Sequence, residues 1–292
     1  MNKTTYGSNE DVDKLNHLVK LFDEIRTYQN PENFKNLLEF LKKFRTIAPF
    51  NAFLLHTQRP GSAFVATVHD WNDKFNRSVK DGANPLVILK PFAPVQFVYE
   101  LNDTTGADFP KELLEPFDTK GELPSYIINR FIANLNKYGI EYEEVQQGTM
   151  RAGSINLKDK AKIVSYSKKH NRILYYSLIV NNKLKLEDKF STIAHELGHL
   201  FCGHLGTLSQ KLWPDRNNLT TEIREFEAEC VSYIVCTRQG LQPSSAEYLF
   251  NYLKEVKTLI PVSLELILKA TGIVENIIHG SFSTPKEFLE KI

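Results

Sequence analysis

Cysteine is scarce in this chain: Cys202, Cys230 and Cys236 are the only three among 292 residues. An odd and sparse set builds no disulfide framework and reads as reduced, buried thiols in a cytosol. Charge of one sign is also missing, with 36 basic residues against 35 acidic. A net charge of +1 gives no field that would hold a polyanion or an anionic membrane, so nucleic-acid binding would need a local patch. No apolar run reaches the roughly 18 to 20 residues that cross a bilayer. The opening MNKTTYGSNEDVDK carries no apolar signal segment, so the expectation is a soluble, cytoplasmic protein without membrane contact. What is present is ordinary globular composition, 42% hydrophobic and 24% charged, which excludes disorder and fibrous repeats. The chain is long enough for one large domain or two modest ones.

The first 50 residues show two helical stripes, Leu15, Leu18, Val19, Phe22 and Ile25, then Phe34, Leu37, Leu38, Leu41 and Phe44, with Pro31 suited to the first turn of the second. From Ala63 short β-branched and aromatic runs follow at 63–68, 85–92 and 95–101, separated by Arg59-Pro60-Gly61 and Asp81-Gly82-Ala83-Asn84. Residues 102–124 have neither period and make the best linker. Beyond it the pattern predicts a helix over 125–138 and extended runs at 161–166 and 172–180. A helix with Phe190, Ile193, Ala194, Leu197 and Phe201 on one stripe comes next, capped by Asp188 and stopped by Gly203. A second long helix spans 221–239 before Gly240, and further helices are expected at 245–256, 262–270 and 285–292. The class is α+β, with an N-terminal α+β module over 1–115 and a second domain over 120–292.

Residues His195-Glu196-Leu197-Gly198-His199 spell H-E-x-x-H inside the amphipathic helix. Four residues apart, the two imidazoles lie within about 40° of one another and can face one ion, with Glu196 about 100° round from His195. A catalytic zinc takes three protein ligands and leaves a fourth position to water. The second helix, TEIREFEAECVSY, offers Glu222, Glu225, Glu227 and Glu229. Glu222, Glu225 and Glu229 fall within about 60° of each other, whereas Glu227 sits about 160° from Glu225. Glu225 is the expected third ligand of one Zn2+ per chain, and Glu229, one turn later, the expected acceptor for the ring N–H of a metal-bound histidine. Cys202, three residues past the motif, is a weaker candidate thiolate ligand.

Zinc in such a centre lowers the pKa of a water towards about 7 and polarises a carbonyl, with Glu196 as the general base. The reaction class is amide hydrolysis. Oxyanion or substrate contacts are available by residue type from His204, Tyr166, Tyr175, Tyr176 and Tyr233. The run RILYYSLIV over 172–180 reads either as an exposed edge strand that pairs with an extended substrate or as an interior strand.

These residues also carry a resemblance. AHELGHLFCGH followed by E-x-E-A-E on a second helix resembles the ImmA/IrrE family of zinc metallopeptidases, in the zincin group, over roughly 127–241. The resemblance implies a zincin-like domain and a metallo-endopeptidase that cuts a specific regulatory protein. It also implies a glutamate ligand followed four residues later by Asn or a similar polar residue, a step that Glu225 and Glu229 fit with Glu in place of Asn. Upstream, Asn51, Leu54, Leu55, Gln58, Pro60, Trp71, Arg77, Val79, Lys80, Gly82 and Pro91 are similar in order to the N-terminal domain of ArdC-type antirestriction proteins. That likeness implies single-stranded DNA binding, with Trp71, Arg77 and Lys80 as stacking and phosphate contacts and the metal site kept mainly for structure. Residues 1–120 nevertheless hold 15 basic and 16 acidic residues, net −1, so the electrostatic footprint of such a domain is missing.

Overall fold

The computed structural model describes residues 28–90, 93–110, 113, 122–146, 152–243, 249, 253, 260–280 and 282–291. The stripe expected over 15–25 lies outside them, as does the helix expected at 245–256 apart from Leu249 and Leu253.

Asn30 opens helix α1 (Pro31–Lys43): its side chain accepts from the N–H groups of Glu32 and Asn33, and Pro31 sits where no N–H is needed. The buried face is the expected stripe, Phe34, Leu37, Leu38 and Leu41. A helix that the periodicity does not announce follows, α2 (Pro49–Gln58), with Ala52 through His56 all buried. The run at 63–68 is a strand only over β1 (Val65–Ala66). Thr67 then caps α3 (Val68–Phe75), its Oγ1 accepting from the Asp70 N–H, so a local cap overrides β-propensity. Strands β3 (Leu86–Lys90) and β4 (Ala93–Glu100) pair antiparallel, with β1 on the far side of β4. Inside the expected linker, β5 (Thr104–Gly106) pairs with β2 (Arg77–Val79). Two amides of α2 close the outer edge of β3: Asn51 bonds both backbone groups of Leu89 at 2.9 Å, and Gln58 both of Val87 at 2.8 Å.

The remainder holds α4 (Ser125–Leu135), β6 (Ile140–Val145), β7 (Gly153–Ser165), β8 (His170–Asn181), α5 (Leu186–Phe201), α6 (Thr221–Arg238), α7 (Leu264–His279) and β9 (Leu289–Lys291). Strand β8 is central, parallel to β6 and antiparallel to β7 and β9. RILYYSLIV is thus an interior strand, and β7 is an edge strand. The helix expected at 285–292 is one 3-10 turn followed by β9, because Phe288 is fully buried and Leu289 pairs with Arg172 of β8. The architecture is α+β, as the sequence leads one to expect.

Leu174, Tyr176, Leu178 and Val180 make the buried face of β8, and α5 adds Phe190, Ile193, Ala194, Leu197 and Phe201 to the same core. Helices α5 and α6 approach closely where Gly198 meets Ala228; a Cβ on Gly198 would stand 2.9 Å from Ala228 Cα. Helix α1 joins this core through Phe34, whose ring lies 6.0 Å from that of Phe226. Arg238 at the end of α6 donates to the carbonyls of Leu41, Phe44, Arg45 and Ile47 and pairs with Glu275 of α7.

Candidate metal centre

The close passage at Gly198 brings one turn of α5 against one turn of α6 and fixes which side chains meet. His195 Nε2 and His199 Nε2 lie 3.2 Å apart. Glu225 reaches both, Oε2 at 3.4 Å from His195 Nε2 and Oε1 at 3.5 Å from His199 Nε2. The other ring nitrogens are engaged elsewhere. His195 Nδ1 donates to Glu229 Oε2 at 3.0 Å, and His199 Nδ1 is 3.0 Å from His204 Nδ1. Glu225, 49% exposed, stands on the solvent side, whereas Glu229 is mostly buried. Glu222 has no part in this cluster.

This donor set fits a divalent ion. Two imidazole nitrogens and one carboxylate converge within 4.8 Å, the N/O mixture that zinc takes. Electrostatics point the same way. Burial disfavours charge on His195, but hydrogen bonds with Glu225 and Glu229 outweigh it and push the imidazole up to about 10. Hydrogen bonds from His195 and His199 hold Glu225 far below the usual carboxylate range. The carboxylates call for positive charge at the Nε2 atoms, which a shared proton or a cation supplies.

Glu196 projects beside the histidines towards β7, where its Oε2 accepts the Ile155 N–H at 3.0 Å. Burial raises its carboxyl, while His195 and His199 pull it down less strongly.

Several expected contacts lie elsewhere. His204 is buried with both nitrogens committed, to His199 and to Glu227, and so offers no oxyanion donor to the cleft. Tyr233 is buried and its hydroxyl donates to Glu39 of α1 at 3.1 Å. Tyr175 rests on Phe288, ring centroids 6.3 Å apart. Trp71 is 0% exposed, donates its Nε1–H to Tyr99 O and sits among Phe64, Phe75 and Phe109, so it cannot stack on a base. Arg77 spends its guanidinium on Thr104 and the Ala107 carbonyl, clamping β2 to β5, and Lys80 donates to Asn102 O at 2.8 Å.

Periodicity alone misses Glu227 and Arg216. Glu227 has the wrong phase for the metal and faces inward, fully buried, where Arg216 grips it with two bonds of 2.7 and 2.8 Å. Burial opposes its charge, but bonds from His204, Arg216 and the Ser263 N–H keep its carboxyl low. The signal was a lone carboxylate on the buried side of a helix, which demands a cation nearby. Cys202 belongs to this second cluster with His204 and Glu227, and burial keeps its thiol protonated, well above its ordinary range.

Residues 155–270 match the model of the Peptidase_M78 family, an IrrE N-terminal-like domain. The match takes in Ile155 together with the H-E-x-x-H helix and all of α6, the last two being the elements that carry the family resemblance in the sequence. A crystal structure of the antirestriction protein ArdC from plasmid R388, Mn(II)-bound, is similar at 14% identity and a TM-score of 0.34, covering 80% of this chain and 86% of that one. No curated protein matches the chain. No helix among the described residues is long and apolar enough to cross a membrane.

Proposed function

We propose that this protein is a cytoplasmic zinc metallo-endopeptidase that cuts a specific regulatory protein. His195, His199 and Glu225 hold one Zn2+ per chain, Glu229 orients His195, and Glu196 is the general base. An N-terminal module over 1–115 and a metallopeptidase domain over 120–292 share the core around Arg238. The reading rests on one observation above all: two imidazole Nε2 atoms 3.2 Å apart face the same carboxylate while each Nδ1 is turned to another partner.

When bound, zinc supplies Lewis acidity and makes a water acidic enough to be deprotonated near neutral pH. The chain's own residues do the rest. Glu196 Oε2 is fixed by Ile155, so Oε1 is the atom that takes the proton of the attacking water and delivers it to the departing amine. Ile155 lies on the edge strand β7, which is suited to hold an extended polypeptide by main-chain bonds beside the two rings. The alternative of a DNA-binding protein with a structural metal finds no support in Trp71, Arg77 and Lys80, whose side chains serve the N-terminal fold.

Purified full-length protein should carry about one zinc per chain, and His195→Ala none. A zinc-free wild type, prepared with zinc present, would defeat the proposal. Glu196→Gln should keep zinc and retain an uncut target in a pull-down; cleavage at the wild-type rate by this variant would remove Glu196 from its role.

A further inference from the structure

Behind His199, with His204 as the neutral imidazole, the hydrogen bonds fit one set of protons. Glu227 Oε2 lies 2.9 Å from His204 Nε2, and this carboxylate, already taking Arg216 at 2.7 and 2.8 Å and the Ser263 N–H at 2.6 Å, can only accept. His204 therefore donates from Nε2, and a neutral imidazole then has only the Nδ1 lone pair left to accept with. That atom is 3.0 Å from His199 Nδ1, so His199 donates there, and its Nε2 is left as a bare lone pair facing His195.

We propose that Arg216, Glu227 and His204 form a positioning relay for His199, in which a buried carboxylate locked by arginine sets the tautomer of one histidine and, through it, the tautomer and aim of the metal-binding one. The proposal rests on the metal-centre reading above. His195 has a direct carboxylate partner in Glu229; Glu227 stands on the opposite face of α6 and acts on His199 only through His204. The surrounding loop is shaped to deliver the guanidinium. Gly203 adopts φ +83°, where a Cβ would meet Pro214 O at 2.0 Å, and Arg216 bonds back to the carbonyls of Gly203 (backbone N–H, 2.9 Å) and Cys202 (side chain, 3.1 Å). Arg216 also supplies the positive charge that the cluster of Cys202, His204 and Glu227 would otherwise seek from an ion. The same carboxylate holds the Ser263 N–H at the start of α7, so the relay reaches a third helix.

The experiment uses the full-length chain. Zinc affinity is measured by competition with a chelator, the fold by the melting temperature of metal-free protein, and the His199 tautomer by its ring 15N shifts in metal-free protein. His204→Phe fills the space without lone pair or polar hydrogen. It should weaken zinc roughly ten- to a hundred-fold, still bind one zinc at saturation and shift His199 towards the Nε2–H tautomer. His204→Gln, whose amide both accepts and donates, should recover part of the affinity. Should His204→Phe fail to fold, Glu227→Gln decides: it keeps the shape, loses the charge and should bind zinc several-fold more weakly. Wild-type affinity and an unmoved His199 tautomer in the folded variants would overturn the relay. If wild type binds no zinc yet His204→Phe still changes the His199 tautomer, the metal reading fails and the relay stands.

Discussion

Gly198 of α5 and Ala228 of α6 touch backbone to backbone: a Cβ on Gly198 would lie 2.9 Å from Ala228 Cα and 3.0 Å from its carbonyl oxygen. This contact sits one residue before His199 on one helix, and on the other three residues after Glu225 and one before Glu229, so it sets the reach of Glu225 to the two rings. Gly198→Ala should therefore cost about 1 to 3 kcal/mol in urea unfolding and weaken zinc binding together, because the helices must separate. Wild-type values for both would show that the close approach is not what positions the ligands.

Arg238 ties the two parts of the chain. Its buried guanidinium donates to four carbonyls between Leu41 and Ile47 and to Glu275. Arg238→Met should lower stability by about 3 to 5 kcal/mol, since it strands a buried carboxylate and several acceptors at once. A fragment starting at residue 120 should lose cooperative unfolding for the same reason. A sharp, wild-type-like transition in that fragment would show the second domain to be autonomous.

His56 gives a pH dependence away from the histidine pair. It is buried, its Nδ1 lies 2.7 Å from the Tyr28 hydroxyl, and burial depresses its pKa. The folded state resists protonation that the unfolded state accepts, so this contribution is complete above the ordinary histidine value and lost as pH falls below it. Stability should drop between about pH 7 and 5, and His56→Phe should flatten that slope. Equal slopes for the two proteins would rule out His56 as a source.

What was legible in the sequence was what depends on neighbours along the chain. Helical phase put His195 and His199 on one side of α5 and separated Glu225 and Glu229 from Glu227, and the structure brings the first four together. The capping of α3 by Thr67 was as local, yet the β-branched run around it hid the signal. Other features depended on partners distant in sequence. β9 is a strand because Leu289 finds Arg172, and nothing within 285–292 shows that. Whether RILYYSLIV was edge or interior turned on β6, β7 and β9 together. Trp71 suited a stacking surface by type alone; the rings of Phe64, Phe75 and Phe109, two of them from outside its own helix, make it core.

The amides of Asn51 and Gln58 on β3 have a consequence for how other chains can join this one. With Val87 and Leu89 already answered by side chains, an arriving strand gains no ladder along that margin of the N-terminal sheet. On β7 the N–H of Ile155 donates to the carboxylate of Glu196. The fold thus shuts the β3 seam to strand addition, whereas the side-chain bond on β7 comes from Glu196, next to the two histidines, so a chain that lengthened the sheet at β7 would meet that carboxylate.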